Sequence, residues 1–258
     1  MIANAVPPVM AFSAAEARAA TIAAPPIAAL TNSHAAQVPE YLRRHYWWAY
    51  VHPWAVRIFE RPWLVNLILW GNYRRLCEAA LAALGPVMSG RTVQLACVYG
   101  DLTNQLADDI AEARGSLDVI DVLPVQLANL REKLDPHSPV RLLQQDTTAL
   151  AAADGSYDRA LLFFLLHEQP EEVRARTLAE TMRVVRPGGR VVIVDFARPS
   201  RWHPMRYFWL PILNRLEPFA SGLWADKGTP WLPPDVGTVT RTAVFGGLYQ
   251  IVTIDRPR

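Results

Sequence analysis

Four places in the chain carry residue types and spacings suited to chemistry. The first is Thr92 to Thr103, TVQLACVYGDLT, where an apolar run gives way to a turn with a single glycine, Gly100. A buried strand that hands over to a helix through such a turn brings backbone N–H groups up to a ligand, as nucleotide-binding α/β folds do. Three glycines are usual in that turn, yet Ala96 and Val98 stand where the first two would be. The second place is Asp121, about 20 residues beyond the turn, the separation at which a carboxylate meets ribose hydroxyls in such folds. The third is Asp146, just past the apolar run Val140 to Gln144. The fourth is His167 with Glu168, which follow the nearly continuous apolar stretch Ser156 to Leu166. An imidazole and a carboxylate at the end of a buried strand are candidates for acid–base work.

These residues meet only if strands carry them to one edge, and the hydrophobic pattern supplies the strands. A strand from Thr92 is followed by a helix over Asn104 to Arg114 and a second strand, Leu117 to Val122, that contains Asp121. A helix from Pro124 to Lys133 leads to a third strand, Val140 to Gln144. Ser156 to Leu166 reads as a central strand buried on both faces. A helix from Glu171 to Val185 then leads through RPGGRVVIVDF into a fifth strand. Alternation of this kind predicts an α/β fold with a doubly wound, mostly parallel sheet, whose ligands sit outside the carboxyl ends of the strands. Farther on, Thr238 to Gly246 reads as a helix and Leu248 to Ile254 as a last strand. That leaves the sheet one strand short of seven unless Leu223 to Leu232 contributes.

With 258 residues, 51% of them apolar, the chain can bury one large domain with an N-terminal extension. A net charge of +2 gives no general electrostatic reason to expect nucleic acid. Cys77 and Cys97 make neither a metal spacing nor a disulfide framework, so a reducing cytoplasm is expected. Residues 1–36 are alanine-rich and broken by Pro7-Pro8 and Pro25-Pro26, the composition of a disordered tail. They have neither the basic start nor the unbroken apolar core of a secretory signal.

Most of the nine tryptophans fall in two blocks. The first, within residues 37–90, predicts short helices broken at Pro53 and Pro62. It presents Tyr46, Trp47, Tyr50, Trp54, Phe59, Trp63 and Trp70 amid Arg43, Arg44, Arg57, Arg61, Arg74 and Arg75. Those aromatics either pack on the sheet or form an interfacial surface against anionic lipid. The charge-free stretch Trp63 to Tyr73 falls short of the roughly 20 residues that span a bilayer. The expected location is cytoplasmic, peripherally attached to the inner membrane. The second block falls within about 197–235 and reads as a lid, or as a plain packing excursion, carrying Trp202, His203, Tyr207, Phe208 and Trp209.

Three stretches, in order, resemble the class I S-adenosylmethionine-dependent methyltransferases. VQLACVYGDLT resembles their VLDLGCGTGDLT, SYDRALLFFLLHEQ their fourth strand, and RVVRPGGRVVIVDF their RVLKPGGRLLIVDF. The resemblance covers residues 91–199, with residues 91–258 forming the S-adenosylmethionine-binding domain. It implies that Ala96, Cys97, Val98, Tyr99 and Gly100 hold the methionine end of the cofactor. Asp121 with Val122 would take the ribose, and Asp146 the adenine amine, with Thr147 and Phe164 beside it.

YWWAYVHPWAV, FERPWLVNLILWGNYRRL and the glycine-poor ACVYGDLT are similar to the RquA family of rhodoquinone biosynthesis proteins. That resemblance implies conversion of ubiquinone to rhodoquinone. A ring methoxy group would be replaced by an amino group from S-adenosylmethionine, with a divalent metal, manganese preferred. His167 and Glu168 would then be catalytic residues and metal ligands, with Asp101, Asp146, Asp195 and His203 as further donors of the right types. Tyr73, Trp202, His203 and Tyr207 would meet the quinone. The alternative is an ordinary methyltransferase acting on a quinone precursor or another lipophilic acceptor. A third reading is a cofactor-free scaffold. Gln94, in place of the acid usual on the first strand, gives the amination reading a physical basis: a nearby carboxylate would hold the cofactor's amine as ammonium, and a nucleophile must be neutral.

Overall fold

The computed structural model describes residues 38–46, 56, 58–224 and 229–258. The expected tail and the aromatics Trp47, Tyr50 and Trp54, with Arg57, lie outside the described residues.

Five strands run parallel: β1 (Arg91–Leu95), β2 (Ser116–Asp121), β3 (Val140–Gln144), β4 (Tyr157–Phe163) and β5 (Val185–Phe196). Two more, β6 (Thr238–Val244) and β7 (Tyr249–Asp255), complete one seven-stranded sheet in the order β3-β2-β1-β4-β5-β7-β6. β7 is antiparallel to both of its neighbours. The helices are α1 (Glu40–His45), α2 (Pro62–Ile68), α3 (Tyr73–Leu84), α4 (Leu102–Glu112), α5 (Pro124–Lys133), α6 (Glu171–Val184) and α7 (Met205–Leu216).

The sheet is buried on both faces, and successive strand residues show it. Leu161, Phe163, Val192 and Val194 join one apolar cluster with α3 and α4. Their neighbours Leu162, Val191 and Ile193 join a second cluster with Leu178 of α6. This is the period-2 alternation of a two-sided sheet. Strand order reverses between β1 and β4, so the connections leave in opposite directions and open a crevice beyond their carboxyl ends.

The C-terminal expectation is corrected. Thr238 to Val244 is a strand rather than a helix, the described residues of 223–232 form no strand, and the sheet is not one strand short. Thr238, Thr240 and Thr242 alternate with Val239, Arg241 and Ala243, and β-branched side chains favour the pleat. Because β6 is an edge strand exposed over most of its length, it shows no apolar face to reveal that period.

Candidate active site

A cavity of about 340 Å³ opens at this switch point. The ends of β1, β2 and β4 form its floor through Ala96, Cys97, Val98, Tyr99, Asp121, Val122, Phe164, His167 and Glu168, with Asp146 and Thr147 beyond β3. Tyr41 and Leu42 of α1, Ile68 of α2, Tyr73 of α3, and Trp209, Leu213 and Leu216 of α7 close it from above. Such a volume, mostly apolar with a few converging polar groups, is what small-molecule sites present.

The turn after β1 keeps a glycine's backbone without the glycine. Ala96 sits at φ 73°, a left-handed conformation that costs a side chain roughly 1–2 kcal/mol. The buried Gln94 braces it: its amide donates to the Ala96 carbonyl at 3.0 Å and to the Thr103 hydroxyl at 3.0 Å. Four of the turn's N–H groups are already engaged within the protein. Cys97 donates to Asp121 at 2.8 Å, Gly100 to Glu60 at 3.0 Å, and Asp101 and Leu102 to the Tyr73 hydroxyl at 2.8 and 3.0 Å. Lys133 pairs with Glu60 at 2.5 Å and also donates to the Gly100 carbonyl. Gly100 (φ 88°) stands outside the cavity wall, and a Cβ there would collide with the Tyr73 hydroxyl. Tyr73 therefore offers the cavity its ring, while its hydroxyl serves the backbone. Tyr99 lies near-parallel to Phe59, with its hydroxyl accepting from Gln126 at 2.8 Å.

Asp121 also accepts from the Leu123 N–H at 2.8 Å, and burial pushes its carboxyl up against the pull of these donors. Asp146 accepts from the Thr148 N–H at 2.8 Å. Both carboxylates line the cavity.

His167 lies on a short 3₁₀ turn, Leu166–Glu168, edge-on to Phe196 with ring centres 4.9 Å apart. Its Nδ1 is 2.9 Å from Asp195, a fully buried carboxylate fixed by the N–H groups of Leu166, His167 and Phe196. Its Nε2 is 3.8 Å from both Glu168 and Glu217. Burial disfavours the imidazolium, but Asp195 first, then Glu217 and Glu168, outweigh it and push the imidazole up to about 9. Burial raises the Glu217 carboxyl against the pull of His167.

The lid residues divide. Trp209 and Leu213 turn inward, whereas Trp202 and Tyr207 are 82% and 70% exposed, outside the cavity wall. The Tyr207 hydroxyl donates to the Arg201 carbonyl, and His203 packs on Phe245 with ring centres 5.0 Å apart. Glu60, Gln126 and Glu217 were not legible in the sequence: each reaches the site from an element packed over the sheet, so no motif spacing marks it.

The expected metal pair does not find a ligand set. Among the described residues no group of three or more His, Cys, Asp or Glu is arranged to hold an ion. His167 faces Asp195 with one nitrogen.

This strand order, with its reversed β7 and its cavity at the switch point, defines the class I methyltransferase fold. Residues 93–189 match the methyltransferase domain model. The sequence is similar to the demethylmenaquinone methyltransferase of Desulfitobacterium hafniense (strain Y51), 32% identical over 52% of this chain and 53% of that protein. It is also similar to the ubiquinone/menaquinone biosynthesis C-methyltransferase UbiE of Azotobacter vinelandii (strain DJ), 30% identical over 53% of this chain and 54% of that one. The chain thus spans about half the length of these relatives. In fold it is similar to the N-methyltransferase NodS of Bradyrhizobium japonicum WM9, with a TM-score of 0.52, 14% identity, and coverage of 72% of this chain and 96% of that one.

Proposed function

We propose that the cavity holds S-adenosylmethionine together with a quinone, and that the amino group rather than the methyl group is transferred, converting ubiquinone to rhodoquinone. The observation that carries this reading is the turn after β1. Four of its N–H groups, those of Cys97, Gly100, Asp101 and Leu102, are spent on Asp121, Glu60 and Tyr73, and Val98 and Tyr99 line the cavity where bare backbone would be. The amino-acid end of the donor is then displaced toward the quinone, into apolar surroundings that favour its neutral amine.

In this reading Glu168 takes the amine's proton, and His167, held by Asp195, donates to a quinone carbonyl oxygen. The ring methoxy group leaves as methanol. The balance is quinone, S-adenosylmethionine and water in; aminated quinol, methanol and a 2-oxo acid out. The quinone ring takes up the two electrons released when the donor's carbon–nitrogen bond is cut. No step is assigned to a metal.

Methyl transfer to a quinone precursor is the second reading, favoured by what the two quinone-pathway relatives are named for. Mass spectrometry after incubating the protein with ubiquinone and amine-¹⁵N S-adenosylmethionine separates the two. Heavy nitrogen in the quinone is the expected result. Unlabelled quinone, with S-adenosylhomocysteine formed from a demethylated precursor, establishes methyl transfer instead.

A further inference from the structure

Two of the helices that roof the cavity also carry large apolar side chains left in solvent. α2 buries none of its residues, and Trp63 and Leu67 are 61% and 63% exposed. Phe208 of α7 is 63% exposed, with Ile212 one turn farther along the same helix face. Just past the end of α2, Trp70 sets its edge against Trp209 of α7, with ring centres 5.2 Å apart. A contiguous apolar surface of this kind on a water-soluble fold marks a site of contact.

Charge says what it contacts. Residues 61–77 contain Arg61, Arg74 and Arg75 and no acid, Arg74 pairing with the exposed Glu78 at 3.5 Å; residues 197–216 contain Arg198, Arg201, Arg206 and Arg215 and no acid. The rest of the chain carries all 24 acidic residues against 19 of the 26 basic ones, so this segregation is local. Exposed aromatic and aliphatic side chains ringed by one sign of charge are complementary to the apolar–anionic boundary of a bilayer. A protein partner would have to supply both an apolar face and an unbroken acidic rim. No helix among the described residues is long and apolar enough to cross a membrane, which fits contact from one side. Ile68 and Leu216 belong both to this surface and to the cavity wall, so the cavity's mouth lies between the two helices.

We infer that α2 and α7 together dock the protein on an anionic bilayer surface, with the mouth of the cavity facing the lipid. A lipophilic substrate would then enter from the membrane without crossing water. Docking itself is independent of which group the site transfers.

The test is co-sedimentation of the full chain with phosphatidylcholine vesicles, with and without one-quarter phosphatidylglycerol. Strong binding to the anionic vesicles and weak binding to the neutral ones is expected. Trp63→Ser/Leu67→Ser/Phe208→Ser should lose at least tenfold in partitioning while melting as the wild type does. Arg74→Gln/Arg75→Gln/Arg215→Gln should lose roughly fivefold per arginine on anionic vesicles alone. Equal binding to both vesicle types, unchanged binding of the triple apolar variant, or a stable dimer with no vesicle binding would each overturn the proposal.

Discussion

Gln94 lies one step behind the cavity wall, and what it does there is mechanical as well as electrostatic. Its amide holds the Ala96 carbonyl and the Thr103 hydroxyl, so it fixes a turn that the missing glycine would otherwise leave strained. A carboxylate at this position could not donate to Ala96, and its charge would raise the basicity of a nearby amine. Gln94→Asp combined with Val98→Gly restores the acid and one glycine together. We expect this variant to bind S-adenosylmethionine, by calorimetry, about as well as the wild type, and to lose at least tenfold in incorporation of labelled nitrogen. Retention of amination at the wild-type rate would show that neither residue sets the donor's orientation.

At the scale of elements, Tyr73 joins α3 to the start of α4. Its hydroxyl accepts the N–H groups of Asp101 and Leu102 and donates to the Tyr99 carbonyl at 3.3 Å, acting as a cap supplied from another helix. Tyr73→Phe leaves those buried donors without that acceptor, at a cost of about 2–3 kcal/mol. For a chain of this size that lowers the melting temperature by roughly 5–10 °C, measurable by calorimetry. A shift under about 1 °C would mean that water replaces the hydroxyl.

The elements that were legible explain those that were not. α5 and β3 fall where pattern and turn residues put them, because Pro124 starts the helix and Val140 opens a short strand with Val140 and Leu142 buried on one face. Asp121 and Asp146 reach the site because a parallel sheet sends every strand's carboxyl end to one edge. β6 was hidden by its exposure. Glu60 and Glu217 were hidden for a different reason: they come from chain that folds over that edge, where tertiary packing alone sets position.

Across the whole molecule, the site occupies the carboxyl edge of the sheet and a charged clamp occupies the opposite edge. Asp118 of β2 is only 3% exposed. It accepts from Arg141 of β3 at 2.7 and 2.5 Å, from Arg91 of β1 at 3.3 Å and from the Tyr157 hydroxyl of β4 at 2.7 Å. One carboxylate therefore ties four adjacent strands. Burial alone would raise its pKa, but Arg141 and Tyr157, with Arg91, more than reverse this and hold it below the usual aspartate value. A carboxyl whose pKa falls on folding contributes stability that is present above the unfolded value, near 3.8, and lost as pH falls through the lower folded value. Both arginines are about half exposed, so solvent screens the pairs, and Asp118→Asn should cost only about 1–3 kcal/mol at neutral pH. Urea melts from pH 7 down to pH ~2.5 should show wild type and variant separated by that amount above pH ~4 and converging below it. A constant gap over the whole range would mean that Asp118 acts through packing alone, and that the clamp's charge plays no part in holding the sheet beneath the site.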